Sequence, residues 1–147
     1  MDGSYQYYFA VVLDPSSATD LAGFVAARMP LHTCLICHHM TILYGTSDVE
    51  ALRQAAPYFA GRIGQSVTLL VLGIAADERV QAVHVGMWDD GDCITQEISD
   101  NAYPHITVAR TIDARSVESN TALSRCILPA GSLLRITGTL TCVEEPI

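Results

Sequence analysis

The chain has 147 residues, half of them apolar, with 16 acidic and eight basic side chains, so its formal charge is −8. All eight basic residues are arginine, which excludes a lysine Schiff base and the phosphate-binding lysine of a P-loop. The length predicts a single domain over residues 1–147, and the acidic charge argues against tight binding to long nucleic acid.

The first half of the chain predicts two units, each a strand followed by a helix. Residues 5–13 are rich in aromatic and β-branched side chains, which is typical of a buried strand, and residues 16–30 repeat apolar side chains at helical spacing. Residues 37–44 predict a second strand. A capping-box pattern then predicts a second helix over residues 47–61.

The second half of the chain predicts a hairpin, further strands and one helix. Two apolar runs separated by a short polar turn favour the hairpin. The predicted ranges are strands at 66–75, 80–88, 94–98, 103–110 and 133–143, with a helix at 113–125. We expect the last strand to pair with the first. Six longer strands, a short one at 94–98 and three helices, without a repeat or linker, predict one compact α+β domain.

Each half contains one strand with a histidine and a threonine two positions apart, namely His39 with Thr41 and His105 with Thr107. Side chains alternate between the two faces of a strand, so each pair points to one face while its apolar neighbours point to the other. If the two strands lie side by side, the four side chains form one polar surface.

Two imidazoles and two hydroxyls suit phosphodiester hydrolysis. A neutral imidazole can take a proton from the attacking water while a protonated one donates to the departing ribose oxygen, each worth about 10² to 10⁴ in rate. Hydroxyls donate hydrogen bonds to the phosphate oxygens that carry charge in the transition state. This chemistry needs no metal and no cofactor.

These motifs resemble the signature of the two-histidine (2H) phosphoesterases, a pair of H-x-[ST]-x strands. Within that superfamily, residues 103–108 followed by residues 117–120 are similar to the cyclic phosphodiesterase domain of fungal and plant tRNA ligases. The resemblance implies a bilobal, pseudo-symmetric α+β fold, with antiparallel sheets flanked by helices around a central cleft.

The resemblance also implies a reaction, the opening of a 2′,3′-cyclic phosphate to a 2′-phosphate and a 3′-hydroxyl. His39 and His105 would be catalytic, and Thr41 and Thr107 would bind phosphate. We favour His105 as the base and His39 as the acid, although the near-symmetry leaves the reverse assignment open. The expected partners are RNA 2′,3′-cyclic phosphate ends or small cyclic nucleotides, bound by a monomer.

Two alternatives stay open on the sequence. A phosphodiesterase for 2′,5′-linked or cyclic oligonucleotides would use the same four residues with a different base pocket. A degenerate, non-enzymatic module would keep the strands and only bind nucleotides or a protein partner.

Three more residues are candidates for substrate contact. Tyr44 and Tyr103 lie beside the two motifs and could stack on a nucleobase, and His84 lies in a third strand-like run. His38 precedes the first motif directly, so strand alternation predicts that it faces away from His39.

Cys34, Cys37 and His38 match the C-x-x-C-H pattern of covalent haem attachment. Neither haem nor zinc is expected here, because no export signal is visible and an extended segment turns positions three apart to opposite faces. The five cysteines, an odd number, suggest reduced thiols in the cytoplasm or nucleus. The longest apolar stretch is about half of what a membrane-spanning helix needs.

Overall fold

The fold was analysed on a computed structural model, which describes residues 5–46, 50, 54, 61–89, 92–94, 103–125 and 127–146. The strands are β1 Tyr5–Leu13, β2 Cys34–Leu35, β3 His39–Thr46, β4 Ser66–Ala76, β5 Val80–Asp89, β6 Asp92–Ile94, β7 His105–Arg110 and β8 Leu128–Pro146. The helices of the described residues are α1 Pro15–Ala26 and α2 Ser119–Arg125, the latter preceded by a 3-10 turn at Ser116–Glu118.

Six of the strands close into an antiparallel barrel in the order β7-β3-β1-β8-β4-β5. Closure occurs at β7, which pairs with β3 along one edge and with β5 along the other. The two short strands pair with strands of the barrel, β2 with β7 and β6 with β5. The protein is therefore mostly β.

The predicted bilobal α+β fold with a central cleft is wrong. Two features of the sheet join the halves that the sequence suggested were separate. The β7 strand of the second half pairs with β3 of the first, and β8 is long enough to pair with both β1 and β4. Over the part of the chain that the structure describes, the resulting sheet is continuous and has no boundary between two lobes.

Several predicted elements are nevertheless confirmed. The first strand spans residues 5–13, the β4–β5 hairpin forms, and the last strand pairs with the first. The predicted helix at 113–125 is shorter, because a 3-10 turn takes up its start. The predicted helix at 47–61 and the strand at 94–98 fall mostly outside the described residues.

A single apolar cluster fills the barrel. Every barrel strand contributes a side chain that is at most 1% exposed, for example Phe9, Met40, Leu69, Val83, Ile106 and Ile136. Burying a side chain of this kind stabilises the fold by about 1.5 to 3 kcal/mol. Because one cluster draws on all six strands, it occupies the interior, and the alternate side chains point outward.

The two helices pack on different clusters. Leu21 and Val25 of α1 are fully buried in the interior cluster. Leu123 of α2 instead packs with Ala75 and Val80 in a separate, smaller cluster. The short 3-10 turn and α2 thereby lie against the β4–β5 hairpin.

Candidate active site

The two His-x-Thr motifs lie on adjacent strands of the barrel. β3 and β7 are antiparallel, with Met40 directly opposite Ile106. One step either way along an antiparallel pair brings Thr41 opposite His105 and His39 opposite Thr107. The structure therefore brings all four predicted residues together, and a local two-fold axis between Met40 and Ile106 relates the two motifs.

All four side chains lie on the outer face of the barrel. Met40 and Ile106 are both 0% exposed and point into the interior cluster, so the side chains before and after them point outward. His39 and Thr41 are half-buried, whereas His105 and Thr107 are each only 8% exposed. The two histidines are diagonal neighbours, for which the usual Cα separation is about 7 to 8 Å.

The Nδ1 of His105 has a defined hydrogen-bond partner. Its Nδ1 lies 2.8 Å from the carbonyl oxygen of Tyr103. A carbonyl can only accept, so Nδ1 carries the proton and donates it, and Nε2 of the neutral ring carries the lone pair. Burial lowers the pKa of His105, and the charge of His84 lowers it further, against the Tyr103 hydrogen bond, which raises it.

His84 lies beside His105 on β5. The two residues are directly opposite each other in the β5–β7 pairing, so their side chains share the outer face. Burial lowers the pKa of His84 as well. The rings of His84 and Tyr103 are nearly perpendicular, with their centroids 6.0 Å apart. His84 and Tyr103, two of the three residues predicted to contact substrate, thus lie next to the His-x-Thr face. Tyr44 is on β3, and its side chain is outside the described part of the chain.

His39 has a different set of neighbours. Its Nδ1 lies 2.9 Å from Nδ1 of His38, so one ring donates and the other accepts. The ring of Tyr8, on β1, lies 5.8 Å from the His39 ring between centroids. The prediction that His38 faces away from His39 is wrong, because β3 begins at His39 and strand alternation does not extend to His38.

Thr107 is anchored by a residue that the sequence analysis missed. Its hydroxyl lies 2.8 Å from the hydroxyl of Ser119, which is 0% exposed at the start of α2. The 3-10 turn before Ser119 is braced by an ion pair between Arg79 and Glu118 at 2.8 Å. Only a serine-rich stretch after the second motif hints at this contact in the sequence.

The cysteines of the C-x-x-C-H pattern are separated by the fold. Cys34 lies on β2, opposite Arg110, whereas Cys37 is buried and its Sγ donates to the carbonyl oxygen of Ala18 at 3.3 Å. Burial raises the pKa of Cys37 to about 11. Among the residues that the structure describes, no group of three or more His, Cys, Asp or Glu side chains could hold a metal ion.

The fold has a counterpart among solved structures. It is similar to the crystal structure of a fungal RNA kinase, with a TM-score of 0.54 and 15% sequence identity. The match covers 93% of this chain but only 44% of that structure. No described protein family matches the sequence, and neither does any curated protein. At this identity the likeness establishes the fold alone and does not assign the chain to the two-histidine phosphoesterases.

Within the described residues, no helix is both long enough and apolar enough to cross a bilayer.

Proposed function

We propose that this protein is a phosphodiesterase that opens 2′,3′-cyclic phosphates, on RNA ends or on small nucleotides, to 2′-phosphates. The observation that carries the proposal is the pairing of the two His-x-Thr motifs about the Met40–Ile106 axis. It gives a surface with two imidazoles on one diagonal and two hydroxyls on the other. That arrangement suits an in-line displacement at phosphorus.

The acid and base roles follow from the surroundings of each ring. His105 is neutral and protonated at Nδ1, so its Nε2 accepts a proton from the attacking water. His39 protonates the departing 3′-oxygen. Its Nδ1 is held by His38, so we assign the transferred proton to Nε2 of His39. The new bond joins water oxygen to phosphorus, and the bond that breaks is the one from phosphorus to the 3′-oxygen.

The threonines complete the proposed site. Thr41 and Thr107 donate hydrogen bonds to the non-bridging phosphate oxygens, where negative charge must be held through the transition state. Thr107 Oγ1 donates to the carbonyl oxygen of Ser116 at 3.4 Å and lies 2.8 Å from Ser119 Oγ, where either hydroxyl could donate. In the proposed complex the Thr107 hydrogen turns to the phosphate while Ser119 donates to Thr107 Oγ1. No step of this scheme requires a metal or a cofactor.

The similarity to an RNA kinase is consistent with RNA ends as the substrate class. Kinase chemistry itself is not proposed, because a P-loop needs a lysine and the chain has none. The formal charge of −8 favours a single nucleotide or a short end over a long strand.

The test is product analysis with the purified protein in EDTA. We expect each of the four nucleoside 2′,3′-cyclic monophosphates to yield a 2′-monophosphate, identified by chromatography. A His39→Ala/His105→Ala double variant, checked for folding by circular dichroism, is the control for contaminating activity. Release of 3′-monophosphates would contradict the assigned leaving group. Cleavage of only a 2′,5′-linked oligoadenylate would favour the alternative linkage, and nucleotide binding without turnover would favour a non-enzymatic module.

A further inference from the structure

The local two-fold axis that exchanges the two motifs does not extend to the neighbouring strands. β7 is flanked by β5, and the residue directly opposite His105 on β5 is His84. β3 is flanked by β1, and the residue directly opposite His39 on β1 is Val12. The cross-strand neighbours of the two motif histidines therefore differ, an imidazole beside His105 and an isopropyl group beside His39. His39 also contacts the His38 imidazole, which precedes it in the chain and is hydrogen-bonded to it through Nδ1.

The position of His84 suits a small polar ligand shared with His105. Residues directly opposite in an antiparallel pair have their Cβ atoms about 4.5 to 5.5 Å apart. The Nδ1 of His105 is engaged by Tyr103, so the reactive atom on this side is Nε2. His84 is half-buried, lies directly across from His105 on the same face of the sheet, and packs nearly perpendicular to the Tyr103 ring, so we place its ring beside the surface that Nε2 faces.

The other flank suits a different part of the substrate. Val12 and the Tyr8 ring, whose centroid lies 5.8 Å from that of the His39 ring, give the His39 side an apolar and aromatic border. The polar His38 ring also lies on this side, but its Nδ1 is hydrogen-bonded to His39 itself. A nucleoside presents such surfaces, whereas a water molecule needs hydrogen-bonding partners. The leaving sugar oxygen therefore fits beside His39 and the nucleophile fits beside His105.

We propose that His84 is the second hydrogen-bonding partner of the attacking water. This inference rests on the proposed function. Water gives one hydrogen to Nε2 of His105 as its oxygen bonds to phosphorus, and it points its second hydrogen at a ring nitrogen of His84. The proton taken by His105 is balanced by the one that His39 delivers to the 3′-oxygen. His84 thus orients the nucleophile and exchanges no proton itself.

Methanol provides a selective test, because it has only one hydroxyl hydrogen and cannot donate to both histidines. In the presence of methanol, wild-type protein should form mainly the 2′-monophosphate from a cyclic phosphate. His84→Val, which copies the residue on the other flank, should lower kcat by about 10- to 100-fold with KM unchanged. It should also raise the ratio of methyl phosphodiester to 2′-monophosphate, since the preference for water is lost.

His84→Gln is the matched variant, because an amide can still accept a hydrogen bond. It should recover part of kcat and keep the product ratio near that of wild-type protein, and it replaces His84→Val as the informative variant if the latter does not fold. A lower kcat with an unchanged product ratio in both variants would overturn the proposal in favour of a packing role. A raised KM with kcat retained would overturn it in favour of nucleoside binding. If wild-type protein opens no cyclic phosphate, the proposed function itself fails and this inference fails with it.

Discussion

β3 and β7 carry the same pair of side chains in unlike surroundings. On β7, His105 is only 8% exposed, its Nδ1 donates to the Tyr103 carbonyl, and His84 lies beside it. On β3, His39 is half-buried and shares a hydrogen bond with His38. The motifs supply equivalent groups, and only their surroundings can make one histidine a base and the other an acid.

The two environments act differently on their histidines. Burial and the nearby charge of His84 disfavour a second proton on His105 and lower its pKa. At the start of β3, Nδ1 of His38 and Nδ1 of His39 share a hydrogen bond, and the proposed acid role makes His39 its donor. In the proposed reaction this asymmetry places the attacking water at β7 and the leaving oxygen at β3.

The largest expected effect comes from removing either imidazole. His39→Ala and His105→Ala should each lower kcat/KM for a nucleoside 2′,3′-cyclic phosphate by about 10² to 10⁴. His32→Ala is the matched control, because His32 hydrogen-bonds to the carbonyl oxygen of Asp77 in a loop. Near-wild-type turnover in either motif variant would refute the catalytic assignment.

A substrate with a p-nitrophenyl leaving group separates the two roles. This leaving group departs without protonation, so loss of the acid costs little. We expect His39→Ala to recover most of its activity on a p-nitrophenyl phosphodiester, while His105→Ala remains impaired. The opposite pattern would exchange the acid and the base.

A smaller effect is expected from the hydroxyls. Thr41→Val and Thr107→Val each remove one donor to the phosphate and should lower kcat by about 10² to 10³. Ser119→Ala should cost less, because Ser119 acts only through Thr107, 2.8 Å away.

A double-mutant cycle tests that order. Thr107→Val/Ser119→Ala should be no slower than Thr107→Val, whereas the losses from Thr41→Val and Ser119→Ala should add. Additive losses for Thr107 and Ser119 would mean that Ser119 does not orient the hydroxyl.

The sequence was sufficient for the local part of this site. Strand alternation depends only on neighbouring residues, so the pairs His39/Thr41 and His105/Thr107 could each be assigned to one face. That the two strands are adjacent, with Met40 opposite Ile106, is a long-range pairing that no local pattern encodes.

Closure of the barrel was unpredictable for the same reason. Whether β7 ends a lobe or joins two depends on which strand covers each of its edges, and both candidates have similar apolar patterns. The contact between Ser119 and Thr107 likewise depends on how the 3-10 turn shortens the predicted helix.

The close approach of β8 to β1 at Val12, the residue opposite His39, allows a test of stability with a smaller expected effect. A Cβ at Gly138 would lie 2.5 Å from the carbonyl oxygen of Val12 and 2.8 Å from Cγ1 of Val11. Gly138→Ala should therefore push β8 away from β1 and lower the free energy of unfolding by about 1 to 3 kcal/mol. Chemical denaturation measures this loss.

Gly23→Ala is the control for that substitution. Nothing lies within 4 Å of a Cβ at Gly23, in the middle of α1, so alanine should stabilise the helix by about 0.5 to 1 kcal/mol. Equal effects of the two substitutions would argue against close contact between β1 and β8 at Val12.

The smallest expected effect is a pH dependence of stability contributed by His105 on β7 and its neighbour His84 on β5. Burial lowers the folded-state pKa of both His105 and His84 below the ordinary 6.5. The unfolded chain then binds protons on these residues at a higher pH than the folded chain does. The free energy of unfolding should therefore fall as the pH drops from about 6.5 through the two lowered pKa values, and it should be insensitive to these groups above that range.

Denaturation at about pH 7.5 and about pH 5 measures the difference, which His84→Gln should reduce. If the free energy of unfolding falls by the same amount in His84→Gln, His84 does not contribute to this pH dependence. The pKa of His84 would then not distinguish the surroundings of His105 from those of His39.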